Sequence, residues 1–225
     1  IKPRFRSWKN IKNISDHEAA QLIRRDNLNL LFDLAGHTPF NRLPIFCWKP
    51  APVQVSWLGY FGTTGLNAID HLVGDPVVTP EEDESRFIET IWRLPNAYIH
   101  FSCPDISPEV SELPLATEKS ITFGSFNSLI KINDQVVECW SSILTSIPKS
   151  KLYLRAKNLE YPEVKSELQT KFRQHGVSPS RLILKGAASR FEILETYNRV
   201  DIALDTFPYP GGTTTLEALW MGVPV

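Results

Sequence analysis

No apolar run in this chain approaches the roughly 20 residues that a membrane-spanning helix needs. No secretory leader, with a basic start and a short apolar stretch, is visible either. Charge of one sign is also lacking. Lys and Arg number 24 against 25 Asp and Glu, a net charge of −1. That balance leaves no broad basic face for nucleic acid or for an anionic membrane, so neither is expected as a partner. Cysteine is scarce. Cys47, Cys103 and Cys139 lie far apart and make no C-x-x-C spacing, so neither a zinc site nor a redox pair is indicated. A sparse, odd count fits a reducing compartment, and a cytoplasmic location is expected. Asp201 and Asp205 are four apart and bracket an apolar stretch, Asp105 stands alone, and no Asp-x-Asp pair or other metal-ligand spacing occurs. No bound metal and no resident cofactor are expected. Tandem repeats and low-complexity segments are absent.

What is present is ordinary globular material. Hydrophobic residues make up 42% of 225 and charged residues 22%, enough for one large domain or two small ones with packed cores. The chain does not begin with Met and stops at Val223-Pro224-Val225, where an apolar strand would start. It is therefore expected to be a fragment of a longer protein.

The chain alternates helix and strand signals. Ser15-Asp16-His17-Glu18 sets a capping pattern before Ala19, Ala20, Leu22 and Ile23 at helical spacing. Leu28–Ala35 is nearly all apolar and ends at Gly36, which predicts a buried parallel strand. A short helix is expected over Asn41–Lys49, stopped by Pro50 and Pro52, then a strand over Val53–Tyr60 and a Gly/Thr-rich loop over Gly59–Gly65. A short strand near His71–Val73 and an acidic helix near Pro80–Ile88 follow. Ser102–Lys119, with Pro104, Pro108 and Pro114 among polar residues, predicts a linker between lobes. After it the rhythm restarts. Strands are expected at Ile121–Phe126, Lys151–Arg155, Leu182–Lys185 and Ile202–Leu204. Helices are expected at Asp134–Ile147, Glu163–His175, Phe191–Val200 and Thr214–Met221. Strands alternating with helices predict a parallel sheet in each lobe, with domain limits 1–101, 102–119 and 120–225.

Chemistry concentrates at strand ends. Pro208-Tyr209-Pro210-Gly211-Gly212-Thr213-Thr214-Thr215 follows an apolar strand and precedes the helical run Leu216-Glu217-Ala218-Leu219-Trp220. Its glycines let backbone approach a ligand. A helix N-terminus offers free N–H groups and partial positive charge to a phosphate, and the Thr hydroxyls add donors. Glu217, one turn inside, could accept both hydroxyls of a ribose. Ligands of open α/β sheets sit beyond the carboxyl ends of strands, where this turn falls. A plain helix start with nothing bound is the alternative. Lys131 lies past another strand end and could neutralise a diphosphate leaving group, or could be a solvated surface lysine. Gly36-His37-Thr38 sits at a third strand end. His37 could act as an acid or base, or be a turn residue. Gly59–Gly65 could admit a sugar, or be a flexible connection.

These residues also fall into an ordered set. Asp33-Leu34-Ala35-Gly36-His37-Thr38, Asn41-Arg42-Leu43 and Lys49-Pro50-Ala51-Pro52-Val53-Gln54-Val55-Ser56-Trp57-Leu58-Gly59-Tyr60 come first. Phe123-Gly124-Ser125-Phe126-Asn127 with Lys131 and Asp201-Ile202-Ala203-Leu204-Asp205-Thr206-Phe207-Pro208-Tyr209 follow. Gly212-Thr213-Thr214-Thr215 with Glu217-Ala218-Leu219-Trp220-Met221-Gly222-Val223-Pro224 closes the set. Together, and over nearly the whole chain, they resemble the catalytic region of the protein O-GlcNAc transferase and SPINDLY family.

The resemblance implies an α/β fold of GT-B type: two Rossmann-like parallel-sheet lobes, both incomplete in this fragment, with the donor in the cleft between them. It implies an inverting, metal-independent transfer of a sugar to Ser or Thr hydroxyls of proteins, with UDP-GlcNAc the expected donor. Acceptor proteins would be held by tetratricopeptide repeats outside this chain. Lys131 matches the lysine on the donor diphosphate and is the catalytic candidate. Gly212, Thr213 and Thr214 fall in the pyrophosphate turn, and Glu217 matches the acid on the ribose. Leu58, Gly59 and Phe61 match the loop near the donor sugar. Phe61 replaces a usual Pro, Ser128 a Gln, Gly212 a His, and Ile193 a His that stacks on the nucleobase. The turn is nearer the bacterial and SPINDLY-like pattern, and SPINDLY enzymes use GDP-fucose. The family's acid/base His belongs to an upstream segment, and no residue here is expected to be the general base. A nucleotide-sugar epimerase and a non-catalytic nucleotide-sugar-binding module stay open as alternatives.

Overall fold

The computed structural model describes residues 2–102 and 104–225 and divides into two compact units, Ile1–His100 and Phe101–Val225. Cys103 lies outside the described residues. No helix among the described residues is long and apolar enough to cross a membrane.

The first unit carries helix α1 (Asp16–Arg25), strand β1 (Leu30–Asp33), the one-turn helix α2 (Pro44–Cys47), and strands β2 (Val53–Ser56), β3 (His71–Gly74) and β4 (Thr90–Arg93). Ser15 caps α1 with the reciprocal Glu18 bond that the sequence pattern calls for. The four strands are parallel in the order β1-β2-β3-β4. Ala19 and Ala20 of α1 pack with Leu43, Ile45, Phe46 and Ile69 in a buried cluster.

Two expectations fail in this unit, and one strand has no counterpart in the sequence pattern. The Leu28–Ala35 run is not a buried strand: β1 is four residues long, and Leu28, Leu30, Phe32 and Leu34 are all exposed. Side chains alternate across β1, and Leu30 and Phe32 share the face that stays exposed. The acidic helix is a six-residue 3-10 turn, Glu81–Arg86, because consecutive acids give it no apolar stripe to bury. Strand β4 is unannounced in the sequence; Thr90-Ile91-Trp92-Arg93 is too short for its alternation to stand out.

The second unit holds α3 (Leu115–Glu118), β5 (Thr122–Ser125), α4 (Asp134–Ser146), β6 (Lys151–Arg155), α5 (Pro162–Gln174), β7 (Leu182–Lys185), α6 (Arg190–Tyr197), β8 (Ile202–Ala203) and α7 (Thr213–Trp220). Its parallel sheet has the order β7-β6-β5-β8. β5 is buried throughout and pairs on both sides. Gly124 is required there: a Cβ would come within 2.6 Å of the Val200 side chain. One cluster packs α4 and α5 on the sheet through Val136, Val137, Trp140, Leu144, Leu168 and Phe172. The other packs α6 and α7 through Leu194, Tyr197, Ala218 and Met221. Burying such side chains stabilises the unit by about 1.5–3 kcal/mol each.

Residues 102–119, read from sequence as a linker, are fastened to this unit. Asn198 Oδ1 accepts the Ser111 N–H at 3.1 Å, and Asp201 accepts the N–H groups of Leu115 and Thr122, both at 2.8 Å. Ala203 N–H donates to Pro224 O at 2.8 Å on the free side of β8. The order β7-β6-β5-β8 makes the chain cross from one edge of the sheet to the other between β7 and β8. That places the switch point beside the carboxyl ends of β5 and β8.

Candidate functional site

In the second unit the candidates converge on that switch point. β8 ends at Ala203, and Asp205 opens a turn through Pro208 to Gly212 before α7 starts at Thr213. The Phe207–Pro208 peptide is cis. Gly212 caps α7 with no side-chain bond, and the first backbone bond of the helix runs from Leu216 N–H to Gly212 O. The preceding N–H groups are the ones a helix start leaves to an outside acceptor. A Cβ added to Gly212 would meet nothing within 4 Å, so space lies open over the turn. Thr213 is exposed. Thr214 is anchored: its hydroxyl donates to Asn127 Oδ1 at 3.1 Å, and its carbonyl accepts from Tyr197 OH at 2.8 Å. Burial, then the charges of Glu217 and Asp205, push the Tyr197 phenol up, so it stays a neutral donor.

Lys131 ends a 3-10 turn, Leu129–Lys131, just past β5. Its Nζ donates to Pro210 O at 2.8 Å and sits 4.5 Å from the Tyr209 ring centroid. Partial burial lowers its pKa, and the carboxylate of Asp205 opposes that shift. Lys131, Asn133, Phe207, Pro208 and Tyr209 line a cavity of about 340 Å³. The structure thus brings Lys131 and the Gly/Thr turn together, across 79 residues of sequence. Glu217 is buried, with Arg190 Nε 3.3 Å from its Oε1. Burial raises the Glu217 carboxyl and Arg190 opposes the rise.

In the first unit His37, Leu58, Gly59 and Phe61 also lie together. The carboxylate of Asp33 accepts the N–H groups of Ala35 and Gly36 and the Ser56 hydroxyl, which forms the turn before His37. The exposed His37 bonds the Thr63 carbonyl at 3.0 Å through Nε2. Leu58 adopts φ 73°, and Gly59 lies so close to β1's exit that a Cβ would stand 2.4 Å from the Ala35 carbonyl. Phe61 stacks on Tyr60 at 5.3 Å.

Four residues that matter to this geometry carry no functional reading in the sequence. Glu89, buried, accepts the Thr63 hydroxyl and the Thr64 N–H, each at 2.7 Å, and the Thr64 hydroxyl, and so fixes the Gly59–Gly65 loop. Arg190 is placed by a second capping box, Ser189 with Glu192, a pattern visible in the sequence. Asn127 and Asp205 tie the turn to β5; an Asp beside a Pro/Gly-rich turn was the available signal. Among the described residues no group of three His, Cys, Asp or Glu could hold a metal ion.

Known proteins resemble this chain in sequence and fold. The model of glycosyl transferase family 41 matches residues 7–103 and 109–225. A SPINDLY protein of Petunia hybrida, named a probable UDP-N-acetylglucosamine–peptide N-acetylglucosaminyltransferase, is 36% identical over 219 residues. That match covers 96% of this chain and 23% of the relative, so the chain spans about a quarter of the relative's length. A point mutant of the Thermobaculum terrenum O-GlcNAc transferase superposes with a TM-score of 0.90 at 39% identity, over 97% of this chain and 41% of that one. A lipopolysaccharide outer core galactosyltransferase, at 13% identity and TM-score 0.58 over 93% of this chain and 58% of that one, shares the fold alone. The α/β fold of GT-B type is therefore the fold of this chain.

Proposed function

Because the chain belongs to glycosyl transferase family 41, we propose that its protein is a glycosyltransferase that moves a sugar, GlcNAc from UDP-GlcNAc, to Ser and Thr hydroxyls of other proteins. The carrying observation is the placement of the Lys131 ammonium against the same turn whose helix N-terminus begins at Gly212. As the acceptor hydroxyl attacks the anomeric carbon, the bond to the diphosphate oxygen breaks and negative charge collects on the leaving group. Lys131 and the N–H groups at the start of α7 are aimed at that charge. The exposed hydroxyl of Thr213 flanks it, Thr214 holds the turn through Asn127, and Glu217 accepts the ribose hydroxyls.

The same proposal makes the transfer inverting and metal-independent. It also places acceptor proteins on repeats outside this chain and the protein in the cytoplasm. Among the described residues Cys47 and Cys139 are free thiols, which fits a reducing compartment. GDP-fucose is the second reading of the donor, favoured by Gly212 in the turn, where the animal O-GlcNAc enzymes of the resembling family carry His.

The test is incubation with radiolabelled UDP-GlcNAc or GDP-fucose and an extract of host proteins, with and without a chelator. Label on protein, unchanged by the chelator, is the expected result. Free labelled sugar with none on protein points to the epimerase alternative. Donor binding without release or transfer points to a binding module.

A further inference from the structure

Asp205 stands just past β8 and makes no contact that the donor-site reading uses. Its carboxylate is nevertheless the best-connected group of the turn. Oδ1 accepts the Gly211 N–H at 2.7 Å, the Thr206 N–H at 2.8 Å and the Asn127 side-chain amide at 3.2 Å. Oδ2 lies 3.5 Å from the Thr215 hydroxyl. One oxygen therefore binds both ends of the stretch from Thr206 to Gly211. It also binds Asn127, whose own carbonyl oxygen receives the Thr214 hydroxyl. The fit is close: a Cβ at Gly211 would lie 3.0 Å from Oδ1 and 2.4 Å from the Thr215 hydroxyl.

The direction of these bonds has a consequence. Gly211 gives its N–H to the carboxylate and so withholds it from a ligand, and the helix start that follows at Gly212 carries no side-chain cap. A carboxylate next to a diphosphate would repel it if it faced it. Here the lone pairs of Oδ1 are spent on donors of the turn and on Asn127, and the carboxylate charge also favours the ammonium form of Lys131.

We infer that Asp205 is the positioning residue of the site: it holds the Gly/Thr turn from below, fixes which N–H groups point outward, and thereby sets affinity for the diphosphate of a nucleotide. The inference rests on the donor-site reading. It extends that reading to a side chain that touches no donor atom.

Calorimetry with UDP and with GDP, on the product of the whole reading frame, tests it. Asp205→Ala should weaken the bound nucleotide about tenfold or more, since it removes buried, charge-assisted acceptors. Asp205→Asn keeps an oxygen in the place of Oδ1 and should restore affinity to within about threefold of the unaltered protein. A general loss of folding would not be rescued in this way. Amide exchange gives a second readout: the Gly211 N–H should be protected in the unaltered and Asn proteins. If Asp205→Ala fails to fold, Asp205→Glu carries the test, because the longer side chain pushes the turn outward and should also weaken binding. Unchanged affinity in Asp205→Ala or Asp205→Glu overturns the inference. So does an Asn variant as weak as Ala, which would make charge rather than bonding the cause. If the unaltered protein binds neither UDP nor GDP, the donor-site reading itself falls, and this inference falls with it. That result is distinct from failure of the variants alone.

Discussion

Replacing Lys131 by Ala isolates the charge at the centre of the proposed site. In the free protein the ammonium makes one hydrogen bond, to Pro210 O, and lies over the Tyr209 ring. Losing those contacts costs about 0.5–1 kcal/mol, so the melting temperature should move by only a few degrees. Toward a diphosphate the loss is larger. Two unit charges about 4 Å apart near a protein surface interact by about 4 kcal/mol before salt screening. Lys131 is only partly buried, so solvent takes a share. About 2 kcal/mol remains for a charge-assisted bond, which converts to a UDP affinity about 30-fold weaker. The effect on turnover should be larger still, about 100-fold or more in kcat, because charge on the leaving group peaks as the glycosidic bond breaks. Calorimetry with UDP and initial rates with a protein acceptor give the two numbers. The affinity deficit should also shrink at high salt as screening grows. An affinity within about twofold of the unaltered protein would refute the role given to Lys131.

Three further outcomes follow from the geometry. Burial raises the Glu217 carboxyl above the ordinary 4.5, against the pull of Arg190, so acidification should protonate it earlier than a free glutamate. A carboxyl raised in the folded state contributes stability at low pH that is lost as pH rises through its folded pKa. Nucleotide binding runs the opposite way: it needs the ionised form and should weaken as pH falls through that same value. Glu217→Gln should bind weakly and lose this acid-side dependence, and parallel profiles for the two proteins would contradict the assignment. Gly59→Ala places a methyl 2.4 Å from the Ala35 backbone, which has no flexible end to give way. It should destabilise the first unit by about 1–3 kcal/mol, seen as a lower melting temperature, and an unchanged melt would mean the close approach is absent. Glu89→Ala strands the Thr64 N–H and two Thr hydroxyls, and should cost about 2–4 kcal/mol and speed amide exchange at Thr64. Unaltered exchange there would show that the loop is held by something else.

The β/α rhythm was legible in the second unit, where a short apolar strand followed by a helix recurs from β5 to α7. Asp134–Ile147 and Glu163–His175 announced α4 and α5 within a residue or two, since their apolar faces pack on a sheet that buries them. Leu28–Ala35 misled for the same reason. Its composition states that it can be buried on two faces, but composition does not say what packs on each face, and the face of Leu30 and Phe32 is left exposed. β4 was silent because four residues give only two alternations. Residues 102–119 read as a linker from their prolines, yet the N–H groups that fasten them belong to backbone and find Asn198 and Asp201 about 86 residues away.

The site shows a sharper limit. Lys131 and Asp205 are charges at the ends of neighbouring strands, and the sequence presents them alike. They differ in where their bonding capacity is spent. An ammonium has three donors, and Lys131 uses one on Pro210 O, so it keeps donors for a ligand. Asp205 gives Oδ1 to three donors inside the turn and has nothing to offer outward from that oxygen. The first is a contact residue and the second a support by the same accounting. That accounting needs bonds to Gly211, six residues on, and to Asn127, 78 residues back, which no local pattern encodes. Sequence reading thus finds the groups that face a ligand, because their chemistry is named by their type. It passes over those that hold them in place, whose chemistry is defined only by their partners. Glu89 under the Thr63–Thr64 loop and Asp205 under the Gly/Thr turn are both carboxylates of the second kind. On this view each should tolerate a change that keeps an acceptor oxygen in the same place, as Asp205→Asn does, and fail with one that removes or displaces it.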